Sequence, residues 1–284
     1  MPGSAGRNIG AETDTPGAAH ALLPTTSPSD RPVWLVCSSD HIHGDPRHGA
    51  RDPMPRNDAV PEVPFRIEIA GGPTVRWSCS PEHPDALALG WLLAEGFLEV
   101  GEPLPSPIIA TDGPGIRVGV ELNQEQLSRG GAVRRAREAG GWGVAAREPR
   151  ARQAPPEPDS AASLLRALFG DGEERRGGLH AASLSDGSTL VRRVEEVSRH
   201  NAVDKVVGLA LLAGHGPDGL GLVVTSRVSG EIAWKAARAG LSWIVSRSVP
   251  TTLALEIAGA VGIPILARAV GRSARLFAPA EAGG

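Results

Sequence analysis

The sequence predicts a two-part α/β protein, a small α+β unit followed by a larger β/α succession. Three observations predict it. Period-2 alternation begins near Phe65, an apolar stretch at helical length follows through Leu93, and from residue 160 short apolar runs alternate with capped helical segments. A chain of 284 residues is long enough to bury one large core or two ordinary ones.

Residues 1–60 are rich in Pro, Gly, Ser, Asp and Arg and show no sustained period, so they are expected to form a disordered leader in which only Val33 to Cys37 fits a short strand. Phe65, Ile67 and Ile69 alternate with Arg66 and Glu68, and Gly71 and Gly72 turn the chain into Thr74 to Ser78, which predicts a hairpin. Ser80 and Pro81 are expected to cap and open a helix carrying Leu87, Leu89, Trp91, Leu92 and Leu93 and ending at Gly96. It is apolar nearly all round, and therefore buried. Ile108 to Ala110 and Ile116 to Leu122 read as two further strands around a Gly-Pro-Gly turn. From Arg129 to Arg152 seven Arg and two Glu are interspersed with five Gly, which predicts a basic loop.

Beyond Pro155 to Pro158, a short helix is expected over 160–169, then strands at Leu179 to Leu184 and Thr189 to Val194 around Asp186-Gly187. Val203, Val206, Val207, Ala210 and Leu211 fall at i, i+3, i+4, i+7 and i+8, the stripe of a helix over 201–213. A strand at Leu220 to Val224 precedes a helix capped by Ser229 and closed at Gly240. Trp243 to Val245 is a strand, and Pro250 opens a helix with Leu253, Ile257 and Val261 on one face. Strands at Ile263 to Ala267 and Arg275 to Phe277 complete the order. The expected division is a leader (1–60), a small α+β domain (61–128), a basic Gly/Arg-rich loop and linker (129–158) and an α/β domain (159–284).

Composition narrows the function. A net charge of −3 with 41% hydrophobic residues does not point to nucleic acid, and no apolar run approaches the roughly 20 residues that span a bilayer. The start of the chain has neither the basic nor the apolar part of a secretory signal. The two cysteines, Cys37 and Cys79, form no CxxC pair and no disulfide framework, so a reducing, cytoplasmic setting is expected. Cys37 lies among Asp40, His41, His43 and His48, whose spacing matches no closed zinc site.

Chemistry concentrates between Val194 and Gly208, where Arg199, His200, Asn201, Asp204 and Lys205 cluster at a strand-to-helix junction. An open helix start with cationic neighbours holds an anion, although the same residues also fit a helix capped by Asn201 and otherwise solvated. The stretch EEVSRHNAVDKVVG resembles the EDVGRHNAVDKVIG of FdhD-type formate dehydrogenase accessory sulfurtransferases. Four further blocks resemble the same family in order: ALALG with Glu95-Gly96, GGLHAA around His180, SRVSGE from Ser226, and SRSVPT from Ser246.

This resemblance, covering about residues 62–278, implies a C-terminal domain of cytidine-deaminase-like fold and a cytoplasmic role alongside a cysteine desulfurase and formate dehydrogenase, with a homodimer left open. The implied cargo is the molybdenum bis(molybdopterin guanine dinucleotide) cofactor. The implied cofactor-binding residues are His180, Arg199, His200, Asn201, Lys205, Arg227, Ser246, Arg247, Ser248 and the run Ala267, Arg268, Ala269, Val270, Gly271 and Arg272. A zinc deaminase is not expected, because the H-x-E and PCxxC ligands are missing.

The family carries sulfur on a CGVCG loop, since a thiolate must attack a donor persulfide and hold the terminal sulfur. The matching stretch here is Gly141 to Ala146, with Trp142 and Ala145 at the two cysteine positions. No catalytic residue and no metal ligand is therefore assigned, and binding without an own persulfide relay is expected. The alternative is transfer through Cys79 or a partner's cysteine. Cys79 just before a helix start would be activated, but an isolated cysteine at a strand end is more often a small buried apolar group. Ser198 and Ser226 replace family glycines before Arg, which is expected to cost access to positive φ.

Overall fold

The computed structural model describes residues 59–142, 153–169, 178–270 and 273–278. The leader, its expected strand Val33 to Cys37 and the Cys37 cluster lie outside them, as do Ala145, Gly271 and Arg272. Ten strands and six helices are described, and they build two sheets.

The first sheet has the order β2-β1-β4-β3, with β1 Val63–Ile69, β2 Thr74–Cys79, β3 Ile108–Asp112 and β4 Gly115–Val120. β1 runs antiparallel to β2 and parallel to β4. Phe65, Ile67 and Ile69 are all buried, as their alternation predicts. Helix α1 (Pro84–Ala94) follows β2. It starts later than Ser80-Pro81 suggests, with His83 at the N-cap and Pro84 in the first turn. Ser80 is not available as a cap: its amide donates to Glu196 Oε1 at 2.8 Å, its carbonyl accepts from Lys205 Nζ at 2.8 Å, and its hydroxyl accepts from Val197 N at 3.2 Å.

The expected basic loop is a helix over its first part. α2 spans Gln124–Glu138. Asn123 and Gln126 form a reciprocal capping box, each side chain accepting from the other's backbone N–H, which supplies the nucleus that composition hides. Gly130 lies inside this helix because Phe97 packs against it where a Cβ would stand.

The second sheet has the order β10-β9-β8-β7-β5-β6. Its strands are β5 His180–Ser185, β6 Leu190–Glu196, β7 Gly221–Val224, β8 Trp243–Ser246, β9 Ile265–Ala267 and β10 Arg275–Phe277. β7, β8 and β9 are parallel, whereas β5, β6 and β10 each run antiparallel to a neighbour. α4 (Arg199–Leu212), α5 (Gly230–Arg238) and α6 (Thr252–Ala260) share one core with this sheet and with the first. A separate cluster joins α3 (Pro158–Phe169) to Val223, Trp243, Val245 and Leu266 of the second sheet. α6 begins after Thr251, whose hydroxyl accepts from Ala254 N at 3.2 Å, two residues later than Pro250 predicts.

α1 and α4 touch backbone to backbone. A Cβ on Gly90 would overlap the carbonyl of Asp204, and one on Gly208 would overlap the carbonyl of Ala86. α4 is buried almost all round as a result, a wider burial than its single apolar stripe predicts.

Candidate functional site

The parallel strands β7, β8 and β9 all end at one edge of the second sheet, the position where open α/β sheets receive ligands. The antiparallel neighbours bring their own polar residues to the same edge, because Ala182 pairs with Val224 and His180 pairs with Glu196. Along this edge lie Arg268 after β9, Arg247 and Ser248 after β8, Arg227 after β7, His180 at the start of β5, and Arg199 and His200 after β6. Blocks spread over roughly ninety residues thus meet in one row.

Backbone bonds fix the row. Ser246 Oγ donates to Ser226 O at 2.7 Å and accepts from Ser248 N at 2.9 Å, tying β8 to β7. Arg268 N donates to Ser248 O at 2.9 Å and Ala269 N to Ser246 O at 3.1 Å, so the segment after β9 crosses the end of β8. Arg268 is held at φ 53, a left-handed conformation that a side chain seldom adopts. Its side chain and those of Arg227, Arg247 and Val270 are exposed. The Arg247 guanidinium lies 4.7 Å from the centroid of Phe169. Arg199 is half-buried with its Nε shielded and without a hydrogen-bond partner. Among the described residues no carboxylate forms an ion pair with Arg199, Arg227, Arg247 or Arg268. The row is cationic.

The histidines are neutral here. Burial, with Arg199 adding to it, pushes the His200 imidazole down to about 4, and the same causes hold His180 below its ordinary value. His200 Nε2 is 3.1 Å from Ser229 Oγ. Ser229 occupies the N-cap of α5 without a side-chain cap bond of its own.

Two expected site residues are committed to the interior. Lys205 is fully buried, pairs with the equally buried Glu196 and reaches the Ser80 carbonyl. Asn201 does not cap α4, whose N-cap is Ser198; its Nδ2 donates to Ser78 O at 2.9 Å. Both residues therefore clamp the end of β2 onto the start of α4. Asp204, also interior, accepts from Lys235 with both oxygens at 2.7 Å. Ser198 and Ser226 do not occupy positive φ, so the replacement of glycine there imposes no backbone strain. The sequence reading gave no site role to Glu196, to Ser229, which it took only as a helix cap, or to Thr225, whose hydroxyl accepts from Ala181 N at 3.0 Å and closes β5 onto β7. The block SRVSGE contained the signal for Ser229, whereas nothing local marks Glu196 as a partner of Ser80, 116 residues away.

The description FdhD/NarQ family matches residues 60–282 of this chain. The chain belongs to the FdhD/NarQ family. A protein of Streptomyces avermitilis named "Sulfur carrier protein FdhD" is 32% identical, with 82% of this chain and 90% of that protein covered. The protein of the same name from Bacillus subtilis is 28% identical over 72% of this chain and 82% of its own. The crystal structure of a proposed formate dehydrogenase accessory protein from Desulfotalea psychrophila superposes with a TM-score of 0.58 at 24% identity, covering 78% of this chain and 88% of that one, a likeness of fold.

Against the FdhD pattern, the cysteines of this member stand out. Cys79 ends β2 with no exposed surface, and burial pushes its thiol up to about 12, more than the nearby Lys205 ammonium lowers it. It does not precede the first turn of α1, because Ser80 to His83 intervene. A protonated, sealed thiol is neither nucleophile nor acceptor. The native chain is therefore expected to leave Cys79 unmodified by iodoacetamide at pH 8, with alkylation appearing only on unfolding. Fast labelling of the folded chain, read by peptide mass spectrometry, would contradict this burial. Since an unfolded thiol ionises near pH 8.5 while the native one holds its proton to about 12, this group also removes stability as pH rises through that window.

Trp142, which the resemblance is expected to set at a cysteine position, is packed rather than loose. It meets Trp234 edge-on with centroids 5.9 Å apart, and the Arg137 guanidinium lies 4.9 Å from its ring. Arg137 in turn bonds Glu95 at the end of α1 and Glu231 in the first turn of α5, the latter at 2.5 Å. Trp142 is thereby held beside α5, two residues of which, Ser229 at its cap and Glu231, face the cationic row and this latch respectively.

Proposed function

We propose that this protein is a formate dehydrogenase accessory factor that binds the bis-guanine-dinucleotide molybdenum cofactor along the carboxyl edge of its second sheet and has no persulfide relay of its own. The convergence of Arg199, Arg227, Arg247 and Arg268 on that edge carries the reading. Four guanidiniums without carboxylate partners among the described residues suit the diphosphates of such a cargo, since Arg pairs bidentately with phosphate oxygens. Neutral His180 and His200 add hydrogen-bonding groups beside them without further charge. In this reading the protein works in the cytoplasm next to a cysteine desulfurase and the dehydrogenase it serves.

A second reading, sulfur delivery through a partner's cysteine, is favoured by the name "Sulfur carrier protein" that the relatives bear. Cys79 is a poor vehicle for it on the burial described above. Calorimetry with GDP tests the first reading: wild-type chain should bind, and Arg227→Gln with Arg268→Gln should weaken binding by about tenfold or more, as expected for losing two charge-assisted contacts. Absence of GDP binding would refute it. Incubation with a cysteine desulfurase and cysteine separates the two readings, because an own relay requires an added sulfur on this chain.

A further inference from the structure

Helix α3 carries none of the motif blocks, yet it packs on residues that adjoin the arginine row. Its Leu164, Leu165 and Leu168 share one apolar cluster with Ala181, Val245 and Ala269. Ala181 follows His180, Val245 precedes Ser246 and Arg247, and Ala269 follows Arg268. The last turn of α3 has a second anchor. Arg193 Nε on β6 donates to Leu168 O at 3.0 Å, one of the end carbonyls that a helix leaves unpaired, and its cation suits the negative end of the helix dipole. The apolar cluster and this bond together fix the next residue, Phe169, with which α3 ends. The Arg247 guanidinium lies over the Phe169 ring, 4.7 Å from its centroid. Among the described residues no other arginine of the row is held against a ring.

We infer that Phe169 is a positioning residue for Arg247, holding its guanidinium at the carboxyl edge of the second sheet while leaving its N–H donors to an anion. A carboxylate in that place would fix the guanidinium equally well, but it would occupy the donors and cancel the charge. An aromatic face attracts the cation without supplying a lone pair, so charge and donors both survive. Arg247 is otherwise exposed, and ordering a long exposed side chain during binding costs affinity. Phe169 removes part of that cost before the ligand arrives. This deepens the function proposed above and rests on it, because the anion concerned is the diphosphate that the row receives in that reading.

The test uses the full-length chain with GDP as the probe, followed by calorimetry. Phe169→Leu, which keeps apolar bulk and removes the π-face, should weaken GDP by about threefold to tenfold, the effect of having to order one more long side chain on binding. Phe169→Tyr restores the ring and should stay within about twofold of wild type. In an Arg247→Gln background Phe169→Leu should change nothing further, since a residue that acts through Arg247 then has nothing to position. Without ligand, the proton resonance of Arg247 Nε should move downfield in Phe169→Leu and hold in Phe169→Tyr, as the ring's shielding is lost or kept. Wild-type GDP affinity in Phe169→Leu, no rescue by Phe169→Tyr, a loss that persists undiminished in the Arg247→Gln background, or an Arg247 resonance indifferent to Phe169→Leu would each overturn the positioning role and leave the arginine row standing. A wild-type chain that binds no GDP would overturn the row and this role together.

Discussion

Lys205→Met is expected to destabilise the folded protein by about 3–5 kcal/mol, the cost of leaving one member of a buried ion pair without the other. Neither Lys205 nor Glu196 has any exposed side-chain surface. Removing the ammonium strands the Glu196 carboxylate in the interior and also frees the Ser80 carbonyl that Lys205 satisfies. The two remaining donors to Glu196, Ser80 N at 2.8 Å and Ser198 N at 3.4 Å, are too few to replace a cation. Urea unfolding followed by tryptophan fluorescence measures the effect as a shift in midpoint. The double variant Lys205→Met, Glu196→Leu should recover part of the loss, since an apolar pair of similar volume often substitutes for a buried ionic one. A single variant as stable as wild type would mean that the pair is not buried in solution.

Gly90→Ala is expected to cost at least about 3 kcal/mol, at or beyond the upper end of ordinary overpacking. The added methyl would overlap the Asp204 carbonyl, a backbone atom that cannot rotate aside, so α1 and α4 must separate. Gly208→Ala should behave alike against Ala86. Gly259→Ala provides the contrast. It also lies in a helix, α6, but a Cβ there meets nothing within 4 Å, and the change should be neutral or stabilise by about 0.5–1 kcal/mol. Comparable losses at Gly90 and Gly259 would show that the backbone contact is not what Gly90 provides.

Alternation and apolar spacing made most elements readable: the hairpin at Phe65, the strands at Leu220 and Trp243, and β10 all occur close to their expected places. What was misread depended on partners distant in the chain. Ser80 looks like a cap until Glu196 and Lys205 claim its polar groups. Arg129 to Glu138 reads as a loop by composition, yet Arg129 bonds Gly96 O, Phe97 O and Glu102, so its charge anchors a helix instead of repelling one. The motif blocks named the right region of the sheet edge, because strand ends follow directly from strand positions. They could not separate the exposed Arg227 and Arg268 from Lys205 and Asn201, since burial is a property of packing that a short motif does not carry.

The clamp over β2 sets an order of events at the ribosome. The Ser80 amide and carbonyl wait for Glu196 and Lys205, which emerge 116 and 125 positions later. During that interval the nascent Cys79 lacks the charged pair that closes its end of the strand. Oxidants and electrophiles thus reach this sulfur only where this end of β2 is not yet folded or has unfolded.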